Sequence, residues 1–256
     1  MVSVLITSYN RPSAVKTCIE YILALNLKIP FEIVVSDDGS SDNNIYTLKT
    51  FTSIDTLVTA EKNQGLGADI NKGIKACKGN HILYCQEDFL LKKELSNVLG
   101  DAINCIKKNS LDMVRFQANY HFPKLHLIEK NIYRIPKFSF RNFYVNTFQY
   151  SDNPFVTKRS FFDTYRYFIE GTSGDYGEAE FAIRIASSNA RIGITQPYYV
   201  VHDGSDSSTM TRTKKSSLTA NRKNLHRFAR AVRQHFEWLF YSKSRRRLIT
   251  YNSSFK

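Results

Sequence analysis

The first forty residues constrain the chain most. Residues 2–7 form a short apolar run rich in β-branched side chains, closed by Ser8, Tyr9, Asn10, Arg11 and Pro12, which predicts a buried strand leaving into a loop. Residues 14–25 carry Val15, Ile19, Ile22 and Leu23 at helical spacing. Pro30 then marks the return to a second apolar strand over 32–36, ending in Asp37-Asp38-Gly39-Ser40-Ser41-Asp42. Two apolar strands joined by a helix lie parallel with a right-handed crossover, so both following loops open on one edge of the sheet. Ligands of such sheets bind at that edge. The expected class is α/β, a mostly parallel sheet flanked by helices.

The pattern continues. A strand over 56–60 precedes Asn63-Gln64-Gly65-Leu66-Gly67, a helix over 68–77 follows, and a strand over 81–85 ends in Gln86-Glu87-Asp88. A helix is expected over 93–108. Residues 116–150 hold ten Phe or Tyr with poor helical periodicity and predict strands and long loops, with most of the aromatic rings in the core. Beyond them, regular structure is expected over 159–168, a loop over 171–177, a helix over 178–187 and a strand over 198–201, which would leave His202 just after a strand. A helix over 221–240 has Leu225, Phe228, Ala229, Val232, Phe236, Leu239 and Phe240 recurring three and four apart.

A chain of 256 residues with 42% apolar side chains can close a core without disulfides. Cys18, Cys77, Cys85 and Cys105 form no CxxC pair and lie in apolar or helical contexts, so buried thiols are expected, and neither thiolate–metal binding nor disulfides. No charged leader or run of membrane-spanning length is evident, and a cytoplasmic location, peripheral on the inner face of the cell membrane, is the expectation. Residues 206–256 contain thirteen Lys or Arg against Asp206 and Glu237, a net of +11 out of the chain's +13. The body is nearly neutral and the tail basic.

Chemistry concentrates at the strand ends. Gln86, Glu87 and Asp88 sit between apolar Leu83-Tyr84-Cys85 and Phe89-Leu90-Leu91. Carboxylate oxygens there suit Mg²⁺ or Mn²⁺, which keep waters and bridge to phosphates, so a site with few protein ligands implies a phosphorylated ligand. The same residues could instead be solvated at a loop start, and Asp37-Asp38 is also good turn chemistry. Four strand-end loops on one edge bring Ser8-Tyr9-Asn10, Asp37-Asp38, Asn63 with Gly65, and Glu87-Asp88 together, the outline of a nucleotide pocket.

These motifs in this order, with Asn71-Lys72-Gly73 and residues 79–88, resemble the family 2 glycosyltransferases of the GT-A fold, closely over the first hundred residues and more weakly to His202. The resemblance implies a donor-binding half over 1–100, an acceptor half over 101–205 and a basic helical tail over 206–256. It implies that Thr7, Tyr9, Arg11, Asp37, Asp38, Asn63 and Gly65 bind a nucleotide-sugar, with a UDP-sugar as the expected donor, and that Gln86-Glu87-Asp88 stands at the metal-binding DxD motif. Gln86 departs from that motif, leaving Asp88 as the metal ligand with Gln86 and Glu87 beside the donor. Gly177-Glu178-Ala179-Glu180-Phe181-Ala182-Ile183-Arg184 resembles the family's acidic pair followed by Arg, which places Glu178 at the catalytic base position and Glu180 as the alternative base. His202 resembles the late histidine that completes the divalent metal site, and Arg212 and Lys214 lie where a segment could close over the diphosphate.

The implied reaction is inverting transfer to a hydroxyl of a saccharide or lipid-linked glycan, with one or two of the middle aromatics lining the acceptor site. Three readings of the tail compete: a basic helix on an anionic membrane with its Phe, Leu and Trp238 embedded, a helix docking its apolar face on the body, and a nucleic-acid stripe, for which no reader motif is present. The competing functions are a nucleotidylyltransferase, whose Gly-rich loop after the first strand is missing, and a non-catalytic membrane- or nucleic-acid-binding protein on a transferase-like scaffold.

Overall fold

The computed structural model describes residues 1–202 and 220–254. In chain order its strands are β1 (Val2–Ser8), β2 (Phe31–Asp37), β3 (Thr56–Thr59), β4 (His81–Gln86), β5 (Phe89–Leu91), β6 (Met113–Arg115), β7 (His126–Glu129), β8 (Ile132–Arg134), β9 (Phe155–Lys158), β10 (Ile192–Thr195) and β11 (Val200–His202). The helices are α1 (Pro12–Ala24), α2 (Asp42–Lys49), α3 (Leu66–Ala76), α4 (Leu95–Lys107), α5 (Phe161–Tyr165), α6 (Gly174–Ala186) and α7 (Ala220–Phe240).

Nine strands form one sheet in the order β3-β2-β1-β4-β9-β6-β10-β8-β7. The first four are mutually parallel, and β9 enters antiparallel between β4 and β6. Side chains alternate across the strands: Val4 and Ile6 pack with Val15, Ile19, Leu99 and Ile103 of α1 and α4, while Leu5 packs with Ile70 and Ile74 of α3 and with Phe155, Phe162 and Phe181. The sheet thus has a core on each face. All four cysteines are buried and free, as expected. Among the described residues no helix is long and apolar enough to cross a membrane.

Register decides where the loops emerge. Thr7 pairs with both Ser36 and Gln86, Ser8 with Asp37, and Asp37 with Thr59, so β1 to β4 end on one edge. The parallel β-α-β reading therefore holds. Helix α2 begins at Asp42, in a stretch to which no element was assigned, where only Leu48 is buried and the apolar pattern is thin. Two expectations are corrected. Helix α6 begins at Gly174 within the expected 171–177 loop, because Ser173 caps it by accepting from the Tyr176 N–H. His202 is the last residue of β11 rather than the residue after a strand, and pairs with Phe89.

The aromatic middle divides. Phe116, Phe122 and Tyr150 are buried, whereas Phe138, Phe140 and Tyr144 are exposed.

Candidate functional site

At the end of β1 the loop is tied to its neighbour. Asn10 adopts the left-handed conformation (φ 55°), donates its N–H to Ser40 Oγ at 2.6 Å, and accepts from the Ser41 N–H at 2.9 Å. Asp37 is fully buried and accepts from the Ser40 N–H at 2.8 Å and the Ser40 hydroxyl at 2.5 Å. Gly39 turns between them at φ 76°, and a Cβ there would collide with the backbone of Lys62 and Asn63. Asp38 reaches the next loop, its two oxygens accepting from the N–H groups of Gln64 at 2.9 Å and Gly65 at 2.8 Å. Burial holds its carboxyl above the usual carboxylate range against those bonds. Asn63 Oδ1 also accepts from the Gly65 N–H, at 3.2 Å. Thr7 is buried with its hydroxyl 3.2 Å from the Tyr84 hydroxyl, and Tyr9 is half-buried at the loop start.

Below these loops lies a charged layer. Asp69, buried on α3, accepts from Ser36 Oγ at 2.6 Å and pairs with Lys72 Nζ at 3.1 Å. Lys72 also donates to the Asp37 carbonyl at 2.5 Å. Burial pushes the Asp69 carboxyl up to about 7, against the hydroxyl and the ammonium.

Gln86, Glu87 and Asp88 follow at the end of β4. Glu87 is buried, pairs with Arg11 Nη1 at 3.3 Å, and is pushed up to about 7 by burial, with Asp88 adding repulsion and Arg11 opposing. Arg11 and Glu87 are thus partners. Asp88 occupies the turn between β4 and β5, and the pairing of Phe89 with His202 sets His202 one residue from Asp88 across the small β5–β11 sheet. The backbone therefore brings the two expected metal ligands together. Among the described residues no group of three His, Cys, Asp or Glu is arranged for a metal. The carboxylate of Asp88 nonetheless suits a divalent ion that takes its other ligands from water and phosphate. Arg212 and Lys214 lie outside the described residues.

Glu178 sits in the second turn of α6 and accepts from the Asp152 N–H at 3.2 Å. With Asp152, Gly177, Gly67 and Ile70 it lines a narrow cleft between the starts of α3 and α6. Asp152 accepts from the Tyr150 hydroxyl at 2.7 Å, and its carbonyl accepts from Gln86 Nε2 at 3.2 Å. Gln86 therefore connects the end of β4 to the Glu178 cleft. Burial, and then the charge of Glu178, hold the Asp152 carboxyl well above the carboxylate range. Arg115 lies beneath, donating to the Phe148 carbonyl at 2.7 Å and to Ser151 Oγ, and burial lowers it to about 10 although Glu178 favours its charge.

Glu180 is a different carboxylate. It is fully buried and accepts from Arg184 Nε and Nη2, each at 3.0 Å, from the Tyr241 hydroxyl, and pairs with Arg246 at 3.7 Å. Its oxygens are committed to structure. The sequence did not single out Asp152, Arg115 or Asp69. Asp152 precedes Asn153-Pro154 and looks like a turn residue; the signal available was an acid enclosed by Tyr150 and Phe155.

The sequence profile of glycosyl transferase family 2 matches residues 3–169. The chain belongs to glycosyl transferase family 2. Among its relatives, the glycosyltransferase EpsH of Bacillus subtilis (strain 168) is 34% identical over 89 residues, which are 34% of this chain and 26% of EpsH. The match thus spans about a quarter of that relative's length. Staphylococcus aureus TarS 1-349, solved with UDP-GlcNAc, superposes over 95% of this chain and 74% of its own with a TM-score of 0.63 at 19% identity. The mannosyltransferase PcManGT of Pyrobaculum calidifontis, solved with GDP-Man and Mn²⁺, covers 94% of this chain and 64% of its own, with a TM-score of 0.57 at 16% identity. These likenesses establish the GT-A fold of this family 2 member.

Proposed function

We propose that this family 2 protein is an inverting glycosyltransferase that moves a sugar from a nucleotide-sugar, in our reading a UDP-sugar, to a hydroxyl of a saccharide or lipid-linked glycan. The observation that carries the proposal is the placement of Glu178 on a cleft with Asp152 and Gly67, at the edge where the β1, β2 and β4 loops converge. Asp37, Asp38 and Asn63 hold the loops in which Tyr9 and Gly65 would meet the base and ribose, so the pocket is organised before the donor arrives. TarS with UDP-GlcNAc and PcManGT with GDP-Man support a nucleotide-sugar donor on this fold.

In the reaction, the Glu178 carboxylate accepts the proton of the acceptor hydroxyl. The acceptor oxygen forms the new bond to the anomeric carbon as the bond to the diphosphate oxygen breaks, and the nucleoside diphosphate leaves from the opposite face. Configuration therefore inverts. Asp88 and His202 would hold a divalent ion, Mn²⁺ or Mg²⁺, whose contribution when bound is to neutralise charge on the diphosphate. Arg212 and Lys214 add positive charge for the same leaving group in this proposal. A cytoplasmic position on the inner face of the membrane completes it.

The test is isothermal titration with UDP, GDP, CDP and dTDP, each with and without Mn²⁺. We expect one diphosphate to bind tightly with metal, and the binding to be lost in Asp88→Ala. Binding of none, or binding indifferent to both metal and Asp88, would overturn the donor and metal assignments.

A further inference from the structure

Helix α7 is amphipathic, yet it turns its polar side to the body. Ala231, Gln234 and Glu237 are buried, and Glu237 accepts from the Ile249 and Thr250 N–H groups. His235 stacks on Phe143 at 4.8 Å, and Trp238 lies 6.3 Å from Phe138. Trp238 is therefore on the docked side, which corrects the expectation that it lies with the apolar stripe. At about 100° per residue, Leu225, Phe228, Val232, Phe236, Leu239 and Phe240 gather on the opposite side. All six are exposed among the described residues, Leu239 at 78%, which goes against the competing reading in which the apolar face docks on the body.

The apolar surface continues beyond the helix. Phe143 joins Phe228 to Tyr144, which is exposed, and Phe138 carries Phe140, 86% exposed, at 5.0 Å. Exposed cations accompany it: Arg227 lies over the Tyr144 ring and Arg233 over the Tyr251 ring, and exposed Lys243, Arg245 and Arg247 follow the helix in the chain. A second copy of this chain would set like charges against one another. An anionic bilayer attracts the cations and buries the apolar side chains together.

We propose that the outward face of α7, with Phe140 and Tyr144 beside it, docks on an anionic lipid bilayer. This deepens the membrane element of the proposed function and does not depend on the donor chemistry. The experiment is co-sedimentation of the full chain with vesicles of phosphatidylcholine, alone or mixed with phosphatidylglycerol. We expect binding to the mixed vesicles only, weakening with salt. The Phe236→Glu/Leu239→Glu variant should bind at least about tenfold more weakly, and Arg245→Gln and Arg247→Gln about fivefold each. These side chains are exposed, so melting temperature and nucleotide titration should stay at wild-type values and report that the variants are folded. Absence of binding to anionic vesicles, or undiminished binding by the double variant, would overturn the proposal. So would a dimer in light scattering that the double variant splits. Vesicle binding without nucleotide binding would leave this surface standing and remove the donor assignment; the reverse result would do the opposite.

Discussion

The two sides of α6 put similar carboxylates to different uses. On one side Glu178 lines a cleft with Asp152 and Gly67 and accepts a backbone N–H. Two residues on, about 200° around the helix, Glu180 is enclosed by Arg184, Tyr241 and Arg246. The first accepts the Asp152 N–H and lines the narrow cleft between α3 and α6. The second fastens the segment after α7 to the helix that carries the first. The difference teaches that a carboxylate enclosed by Arg184, Tyr241 and Arg246 is committed to structure, which leaves the one lining the cleft as the candidate for the proposed chemistry.

The sharpest way to break this contrast is Glu178→Gln. Loss of a general base should lower kcat about 10³-fold, with diphosphate affinity and melting temperature unchanged; a large drop in melting temperature would place Glu178 in the structural class. Glu180→Ala should do the converse. Removing one partner of a buried ionic cluster costs about 3–5 kcal/mol, read by denaturant unfolding, and an unchanged stability would remove the distinction.

A smaller effect comes from Asp69, beneath the donor loops. Its folded value of about 7 lies above the ordinary carboxylate value, so the folded state binds the proton more tightly than the unfolded state does. The stability it contributes is present at low pH and is lost as pH rises from about 4 through 7. Wild-type stability should therefore fall by about 2–4 kcal/mol across that interval from this group alone. Asp69→Asn should flatten the profile in that window, and a profile unchanged by the substitution would contradict the assignment.

Much of the loop-bearing sheet edge was legible because strand periodicity and loop composition agree there: β1, β2 and β4 end in polar loops, and parallel pairing leaves those loops no other edge. What escaped depended on tertiary contacts. Gly174 and Gly177 read locally as loop, but the Ser173 cap starts the helix four residues before Glu178. Asp152 gains meaning only when Gln86 and Glu178 arrive from other elements. The apolar stripe of α7 was visible as a period, yet a period cannot say which side docks. That choice goes with Glu237 accepting from the Ile249 and Thr250 N–H groups, His235 meeting Asn146 and Phe143, and the burial of Gln234.

The antiparallel strand β9 has a consequence for synthesis. β1, β2, β3 and β4 are all complete by residue 86, whereas the strand that covers the free edge of β4 begins at Phe155. Throughout that interval on the ribosome, Ile82, Leu83 and Tyr84 border an open strand edge able to pair with a neighbouring nascent chain. Translation through Lys158 closes it, so a chain released before that point carries a template for aggregation that the finished protein conceals.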